Sequence, residues 1–552
     1  MEKTINDTLS LWREEGSRQI PQNFEVFRSL VVQAQEFAYN GKYDAAAVYA
    51  QTAALNARNK HCGLFVSQEL EHILLMIGRK AIQSNFSPCK SISLPTKPRN
   101  ILHVSTNVST YSGIPRLIRR WIQQDTERTH SLALTSQAPD VIPEILRDAV
   151  LNNQGKIHII NQRTKSIVAR SKRLREIASV ADIVVLHAWE YDVIPTIAFA
   201  NKEQFPPVIY VNHGDHWFWL GSSVSDVIAN LRESGMRLSQ QRRNIEPERN
   251  MLLPTVLEPA SRVLSRKEAK RKLGIDENSI LLLSIARADK YKTIDGVSFA
   301  DAHLPLLKQN DRAILLVIGP GERENWSKAI EQTQGRIRVL GQTENTAIFY
   351  QAADIYVDSF PFVSITSLLE AGSYGVPLVN RFNYSDACEI MAADMPGLNG
   401  NLICVRDLQE YTAVLSRLIE DEELRLSLGE ATKRKIVETH MGSNWLHSLE
   451  NVYTHAVTLP RINFRAVATD KMFLGEPDLF YHRIFDSEGE TSADLSLAMY
   501  LRFLPLDERL RFWTKLVKKY SFRGGRLNLW LGTWLPESSL HYYSRLRSFL
   551  SF

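Results

Sequence analysis

Hydroxyl side chains are concentrated between residues 354 and 377, together with one glutamate. Ser364, Thr366 and Ser367 follow a short apolar run, and Glu370 comes about one helical turn later. This order predicts a buried strand, a loop and a helix that begins near Thr366. The free amides and positive dipole end of such a helix suit a diphosphate, and Glu370 is placed where a carboxylate can accept hydrogen bonds from ribose hydroxyls. An ordinary β-loop-α unit, however, would show the same pattern.

A second group of polar side chains follows another apolar run, at 208–212. His213, Asp215 and His216 lie there in an aromatic loop, where they should face a cleft between domains. A histidine–carboxylate pair with a near-neutral pKa could remove a proton from a hydroxyl. A single histidine is more often structural, and the motif could also suggest a metal site, although no third set of ligands is visible. We predict His213 and Asp215 as catalytic.

These groups require a framework of parallel strands. Apolar runs alternate with helical patterns in two successive stretches, which is typical of two doubly wound α/β domains facing each other. Such domains form a cleft at the carboxyl ends of their strands. We predict an N-terminal Rossmann-like domain over 101–255 and a C-terminal one over 256–458.

The first 83 residues show helical spacing of apolar residues, a turn at Asn40–Gly41 and a following alanine-rich segment. This pattern resembles one tetratricopeptide-type hairpin, which would be a peptide-binding module. A helical cap on the next domain is an equal alternative, because solenoids normally need about three units. Residues 84–100 are polar and contain three prolines, so we interpret them as a linker.

The extension over 459–552 is rich in aromatic and basic residues. We expect helices packed against the cleft, with arginines facing solvent. An interfacial membrane contact or a docking surface for an acceptor is the alternative.

The composition narrows the class of protein. At 552 residues the chain needs several domains, and its 44% hydrophobic and 23% charged content is ordinary for a globular protein. A net charge of +5 does not indicate a nucleic-acid binder. The four cysteines are scattered, and neither a signal peptide nor an apolar run long enough for a membrane span is visible. We expect a cytoplasmic protein.

Residues 100–458 resemble the GT-B glycosyltransferases, especially the large retaining "group 1" family (family 4) that includes relatives of sucrose and glycogen synthases. Besides the loop and helix before Glu370, the resemblance rests on Ile285–Lys292 and on the glycine turn Val317–Gly321, each after a predicted strand. It implies a nucleotide-diphosphate sugar as donor, with no metal and no other cofactor.

The resemblance implies that Arg287 and Lys292 grip the donor diphosphate, since the family has an arginine and a lysine five residues apart here. Two fixed cations would offset the pyrophosphate charge and stabilise the departing nucleotide. Lys290 could replace Lys292 in this role. A solvated basic turn is the alternative.

Further donor contacts are implied at three turns. Gly319 matches a tight turn that approaches the nucleotide, Leu340 would lie beside the base, and Gly113 matches the glycine turn near the donor phosphates. In the family, a histidine at a strand end lies next to the donor sugar, and His213 is the matching residue.

The chain departs from the family at one position. The family usually has two glutamates separated by seven residues; Glu370 matches the second, and Phe362 stands at the first. The loop over 361–366 is somewhat similar to that of the inverting protein O-glucosyl and O-GlcNAc transferases. There, hydroxyls and amides before the helix hold the diphosphate, a role that Ser364, Thr366 and Ser367 could fill.

We therefore predict an enzyme that moves a hexose-type sugar from a UDP- or GDP-sugar to a hydroxyl, in polysaccharide or glycoconjugate synthesis. The acceptor could be a carbohydrate, a glycolipid or a protein, and the protein could touch a membrane peripherally. A protein O-glycosyltransferase and a non-catalytic sugar-nucleotide-binding scaffold remain alternatives. A dehydrogenase is disfavoured, because no GxGxxG with a downstream acidic residue follows a predicted strand.

Overall fold

A computed structural model describes residues 2–82, 97–110, 113–137, 141–162, 166–293, 297–320, 324–464, 469–485, 493–498, 500, 504 and 506–520. Most of the predicted linker, Ser112 and the end of the aromatic tail lie outside the described residues.

Helices account for much of the described chain. Their bounds are α1 (Glu2–Tyr39), α2 (Tyr43–Asn59), α3 (Gln68–Ala81), α4 (Gly113–Gln124), α5 (Glu144–Asn152), α6 (Ile167–Ala178), α7 (Val193–Ala198), α8 (Glu233–Arg243), α9 (Arg266–Lys272), α10 (Phe299–Gln309), α11 (Glu324–Gln332), α12 (Ala347–Ala352), α13 (Thr366–Ser373), α14 (Leu408–Glu420), α15 (Glu422–His440), α16 (Gly442–Thr458), α17 (Tyr481–Ile484), α18 (Ala493–Ala498) and α19 (Leu506–Tyr520).

The strands form two separate sheets. The first sheet contains β1 (Asn100–Ser105), β2 (Thr129–Leu134), β3 (Ile157–Ile159), β4 (Ile183–His187), β5 (Val208–Asn212), β6 (Val227–Asn230) and β7 (Asn250–Leu252). The second contains β8 (Ile280–Ile285), β9 (Ala313–Ile318), β10 (Ile337–Leu340), β11 (Ile355–Val357), β12 (Leu378–Arg381) and β13 (Leu402–Val405).

Both sheets are parallel and doubly wound. The strand orders are β3-β2-β1-β4-β5-β6-β7 and β10-β9-β8-β11-β12-β13. Each sheet therefore starts near its middle and proceeds to one edge and then to the other. Parallel strands covered by helices on both faces are continuously apolar, and β8 and β9 are buried along their whole length. The predicted fold class, two facing Rossmann-like domains, is confirmed.

The helix α16 packs on the first sheet. Trp445 and Tyr453 are fully buried there, and their polar atoms bond to Pro254 and to Trp121 of α4 at 2.8 and 2.9 Å. The sequence had assigned residues up to 458 to the second domain, so this assignment is corrected for α16. An apolar helical stripe predicts that a helix is covered, but not which of two sheets covers it.

The helices α1 to α3 share one apolar core with the first domain. The turn between α1 and α2 is made by Gly41 in the left-handed region, and α2 presents a row of buried alanines. From α3, the buried Glu71 carboxylate accepts hydrogen bonds from the amides of Gly221, Ser222 and Ser223 in the first domain. This packing is that of a helical cap, one of the two alternatives left open by the sequence.

Three buried histidines form a chain across the first sheet. His103 on β1 lies between His187 on β4 and His130 on β2, with nitrogen–nitrogen distances of 3.0 and 2.9 Å. The other ring nitrogen of His130, Nε2, is 3.1 Å from the carbonyl oxygen of Asp125. Burial lowers the pKa of His103 well below its ordinary value and that of His187 to about 3.

This burial predicts a pH dependence of stability. Below about pH 6.5 the unfolded chain takes up a proton at His103 that the folded chain does not, so the free energy of unfolding falls as the pH falls. Replacing His103 with glutamine should flatten this slope by about 1.4 kcal/mol per pH unit, measured by urea unfolding between pH 6 and 5. Replacing the exposed His447 in the same way is the control, and equal slopes for wild type and His103→Gln would contradict the prediction.

Candidate active site

The loop before α13 is held in a strained conformation. Ile365, the residue before the helix, has φ of 59°, and no side chain caps the helix. A β-branched residue in the left-handed region costs free energy and is typical of functional loops. The helix begins at Thr366, as the sequence predicts, and no side chain among the described residues accepts a hydrogen bond from its first amides.

A buried carboxylate shapes this loop from below. Asp358, directly after β11, accepts hydrogen bonds from the amides of Ser359 and Ser364 at 2.9 and 3.0 Å, and from Asn380 at 3.2 Å. The Ser364 hydroxyl lies 3.0 Å from the hydroxyl of Tyr356. Sequence reasoning missed Asp358, although an acidic residue directly after a buried strand was a signal for it.

The structure brings one of the two predicted lysines to the loop. The ammonium group of Lys290 donates to the carbonyl of Val363 at 2.5 Å, whereas that of Lys292 lies 3.4 Å from the carbonyl of Arg483. Arg287 is exposed and 3.5 Å from Asp289. Lys290, which the sequence offered as a substitute for Lys292, is therefore the lysine placed beside the helix N-terminus.

Burial and the nearby charge of Arg287 lower the pKa of Lys290 to about 7. Its charge can therefore change near neutral pH. A polyanion bound beside it would favour the protonated form.

The glycine turn after β9 requires glycine. Gly319 has φ of 117°, and a Cβ there would lie 1.9 Å from the carbonyl oxygen of Ala286. Its amide donates to the carbonyl of Leu340 at 2.9 Å, and the Leu340 side chain is exposed. Both residues lie at the carboxyl edge of the second sheet, where ligands of α/β folds bind.

The carboxylate of Glu370 on α13 is already held by two donors. A guanidinium nitrogen of Arg120 lies 2.5 Å from one oxygen, and the Tyr350 hydroxyl lies 3.1 Å from the other. Arg120 belongs to α4 of the first domain, so this contact crosses the cleft. Gly113 begins the same helix, is exposed, and has open space where a side chain would project. Sequence reasoning missed Arg120.

His213 lies after β5 with a side chain that is 14% exposed. Its Nδ1 is 3.9 Å from a carboxylate oxygen of Glu190, and its Nε2 has no hydrogen-bond partner among the described residues. Glu190 is buried and receives a hydrogen bond from Arg58 of α2 at 3.2 Å. The helical cap thus fixes the carboxylate beside the predicted catalytic histidine. Glu190, in the loop after β4, was not assigned from the sequence.

Asp215 is not placed as a base. It is buried and binds Arg232 through two hydrogen bonds of 2.6 and 2.9 Å, with His216 at 3.2 Å. Although burial opposes ionisation, Arg232 and His216 hold the pKa of Asp215 well below its usual range. This environment favours a structural role for Asp215, because a proton acceptor needs an accessible, near-neutral group, and its predicted catalytic role stays a prediction.

Phe362 occupies the place of the absent glutamate with an aromatic contact. Its ring centroid lies 4.5 Å from that of His216 and 4.8 Å from that of Phe485. The cations of Lys290 and Arg232 lie 4.8 and 5.7 Å from the ring. This cluster joins the first domain, the second domain and the C-terminal extension.

The Asp215–Arg232 pair generates a prediction. Replacing Asp215 with asparagine should lower the free energy of unfolding by about 3–5 kcal/mol, because a buried guanidinium loses its counter-charge. Replacing His213 with glutamine should change it by less than about 1 kcal/mol. Urea unfolding of both variants tests this. An Asp215→Asn protein as stable as the wild type would contradict the structural role of Asp215.

Comparisons with known proteins agree with this geometry. Residues 265–435 match the family described as "Glycosyl transferases group 1". Two D-inositol 3-phosphate glycosyltransferases are similar: that of Corynebacterium aurimucosum is 27% identical over 210 residues, 35% of this chain and 47% of the relative. That of Thermobifida fusca is 29% identical over 184 residues, 30% of this chain and 41% of the relative. The chain thus spans less than half the length of these relatives.

A solved structure, Anabaena HepE in complex with UDP, covers 65% of this chain and 100% of its own, with a TM-score of 0.51 and 12% identity. At this identity the likeness concerns the fold. The chain therefore has the GT-B fold, and its second α/β domain is similar to that of the group 1 glycosyltransferases.

Proposed function

We propose that this protein transfers a hexose-type sugar from a nucleotide-diphosphate sugar to an acceptor hydroxyl, in polysaccharide or glycoconjugate synthesis. The observation that carries the proposal is the α13 N-terminus, which lacks a side-chain cap and has the ammonium group of Lys290 beside its loop. Helix amides and cations together form an anion site that fits a diphosphate. The match of residues 265–435 to the family supports the same function.

In this proposal the donor lies along the carboxyl edge of the second sheet. Arg287 and Lys290 neutralise the diphosphate, the amides of Thr366 and Ser367 bind its oxygens, and Glu370 accepts hydrogen bonds from the ribose. The base lies beside the turn at Gly319. Fixed cations would stabilise the charge that develops on the leaving nucleotide as the bond to the sugar breaks.

His213 is the proposed group at the reacting sugar. Its ring is 14% exposed, with Nε2 buried, and lies beside Glu190, which can orient the imidazole. In an inverting reaction, His213 would take the proton of the acceptor hydroxyl as the new glycosidic bond forms. In a retaining reaction, it would bind the sugar instead. Closure of the two domains would exclude water and limit hydrolysis of the donor.

We propose a carbohydrate or glycolipid acceptor, with a protein acceptor as the alternative. Within the described residues, no helix combines the length and apolar character that crossing a membrane requires. Membrane contact through the tail stays a prediction, because residues 521–552 lie outside the described part of the chain.

A non-catalytic sugar-nucleotide-binding scaffold is the second candidate. It is favoured by Phe362, since an aromatic cluster stands where the family has a carboxylate near the transferred sugar. Turnover separates the two candidates: release of nucleotide diphosphate that depends on an acceptor supports the enzyme, and binding without turnover supports the scaffold.

Donor binding should be visible as thermal stabilisation. A UDP- or GDP-sugar at about 100 times its dissociation constant adds about 2.7 kcal/mol to the free energy of unfolding, and UDP-sugars come first because HepE was solved with UDP. Arg287→Ala should weaken binding about tenfold or more, since a hydrogen bond between charged groups contributes about 1.5–3 kcal/mol. Glu370→Ala should also weaken it. Wild-type protein that no nucleotide sugar stabilises would contradict the proposal.

Lys290 should make donor binding depend on pH. Its pKa is about 7 in the unbound protein, so above that pH binding of the diphosphate requires uptake of a proton. Affinity should fall as the pH rises from 7 to 8.5, by up to tenfold per unit. Calorimetric titration with UDP measures this. Lys290→Arg is the matched variant, because arginine stays charged and should bind with a flatter pH profile.

A further inference from the structure

The contact between Arg120 and Glu370 joins the two domains at the proposed ribose site. The nitrogen–oxygen distance is 2.5 Å, and the side chains are only 8% and 13% exposed. The arginine lies on α4 of the first domain, whereas the carboxylate lies on α13 of the second. A charge-assisted hydrogen bond of this kind fixes orientation as well as adding free energy.

The two donors on Glu370 leave room for a ligand. An ionised carboxylate has about four acceptor positions on its two oxygens. Arg120 uses one position on one oxygen, and the Tyr350 hydroxyl uses one on the other. Among the described residues these are the side-chain donors to Glu370, so about two positions remain, one on each oxygen. Two neighbouring hydroxyls, such as the 2′- and 3′-hydroxyls of a ribose, are the donors that match such a pair.

Arg120 is itself held in place by a second carboxylate. Its Nε lies 3.3 Å from Glu258, in the segment that connects the two sheets. Arg119 binds the same glutamate through contacts of 2.6 and 2.8 Å, but it does not contact Glu370 in the described structure. The guanidinium is therefore positioned before any ligand arrives, which lowers the entropic cost of ordering it.

We infer that Arg120 is a donor-positioning residue, which the first domain supplies across the cleft to orient Glu370 towards the ribose. This inference rests on the proposed function, in which Glu370 binds ribose. Without Arg120, Tyr350 alone would hold the carboxylate, which could then rotate away from the sugar. Nucleotide affinity would thus depend on how the two domains are arranged, although the residues proposed to bind the diphosphate and the base lie in the second domain.

The test compares ligands with and without ribose. Arg120→Gln should weaken binding of UDP and GDP about tenfold, measured by calorimetric titration, and leave binding of inorganic pyrophosphate within about twofold. With 2′,3′-dideoxy forms of the same nucleotides, the effect of Arg120→Gln should disappear. In turnover, the KM for the donor should rise while kcat stays within about twofold. If Arg120→Gln instead disrupted the cleft as a whole, binding of pyrophosphate would weaken as well.

Two further variants serve as controls. Arg119→Gln removes a neighbouring arginine from the same helix and the same Glu258 contact, and should leave nucleotide affinity unchanged. Arg120→Lys keeps the charge and should restore part of the affinity. Thermal unfolding of each variant shows whether the fold is retained.

Several outcomes would overturn the inference. Tighter binding of nucleotides to Arg120→Gln would mean that Arg120 competes with ribose, and unchanged binding would make it a brace between domains only. If Glu370→Gln weakens nucleotide binding but Arg120→Gln does not, the proposed function stands and the inference alone fails. If the wild type binds neither nucleotides nor pyrophosphate, the proposed function fails and the inference falls with it.

Discussion

The arrangement of the two domains depends on one buried guanidinium. Arg232 is 1% exposed and donates to both oxygens of Asp215, and also to the carbonyls of Ile390 and Ala392 in the second domain at 2.7 and 2.8 Å. A buried charge is tolerated only when it is paired and hydrogen-bonded, so this group favours a narrow set of domain positions. The groups of the cleft, including Arg120 and Glu370, can meet only within that set.

The cleft combines a rigid backbone with side chains that can adjust to a ligand. The strained residue Ile365, the buried Asp358 below the loop and the obligatory Gly319 fix the backbone that would face a diphosphate. The exposed Arg287 and the titratable Lys290 can adjust to a ligand. Preformed amide dipoles stabilise charge without reorganisation. Such a β-loop-α unit would suit a diphosphate ligand whose negative charge increases when its bond to the sugar breaks.

Features that depend on local sequence patterns could be predicted from the sequence. Alternating apolar runs identified the two parallel sheets, and the hydroxyl-rich stretch located the start of α13 at Thr366. Contacts between distant segments could not be predicted in this way. The choice between Lys290 and Lys292 depends on a turn of the backbone, and Arg120 meets Glu370 only because two separate domains pack together. The strands β6, β7 and β13 were missed.

The hydrogen bonds between the three histidines of the first sheet share one donor-to-acceptor direction when the rings are neutral. Nε2 of His130 lies 3.1 Å from the carbonyl oxygen and 3.2 Å from a carboxylate oxygen of Asp125, and both oxygens accept, so a neutral His130 carries its proton on Nε2 and presents Nδ1 as the acceptor for His103. The same order repeats at His187, whose buried Nδ1 is then an acceptor with no partner among the described residues. Among neutral rings, Asp125 at one end of this chain thus selects the tautomer of His187 at the end of β4, and a change of tautomer there would require all three rings to change together.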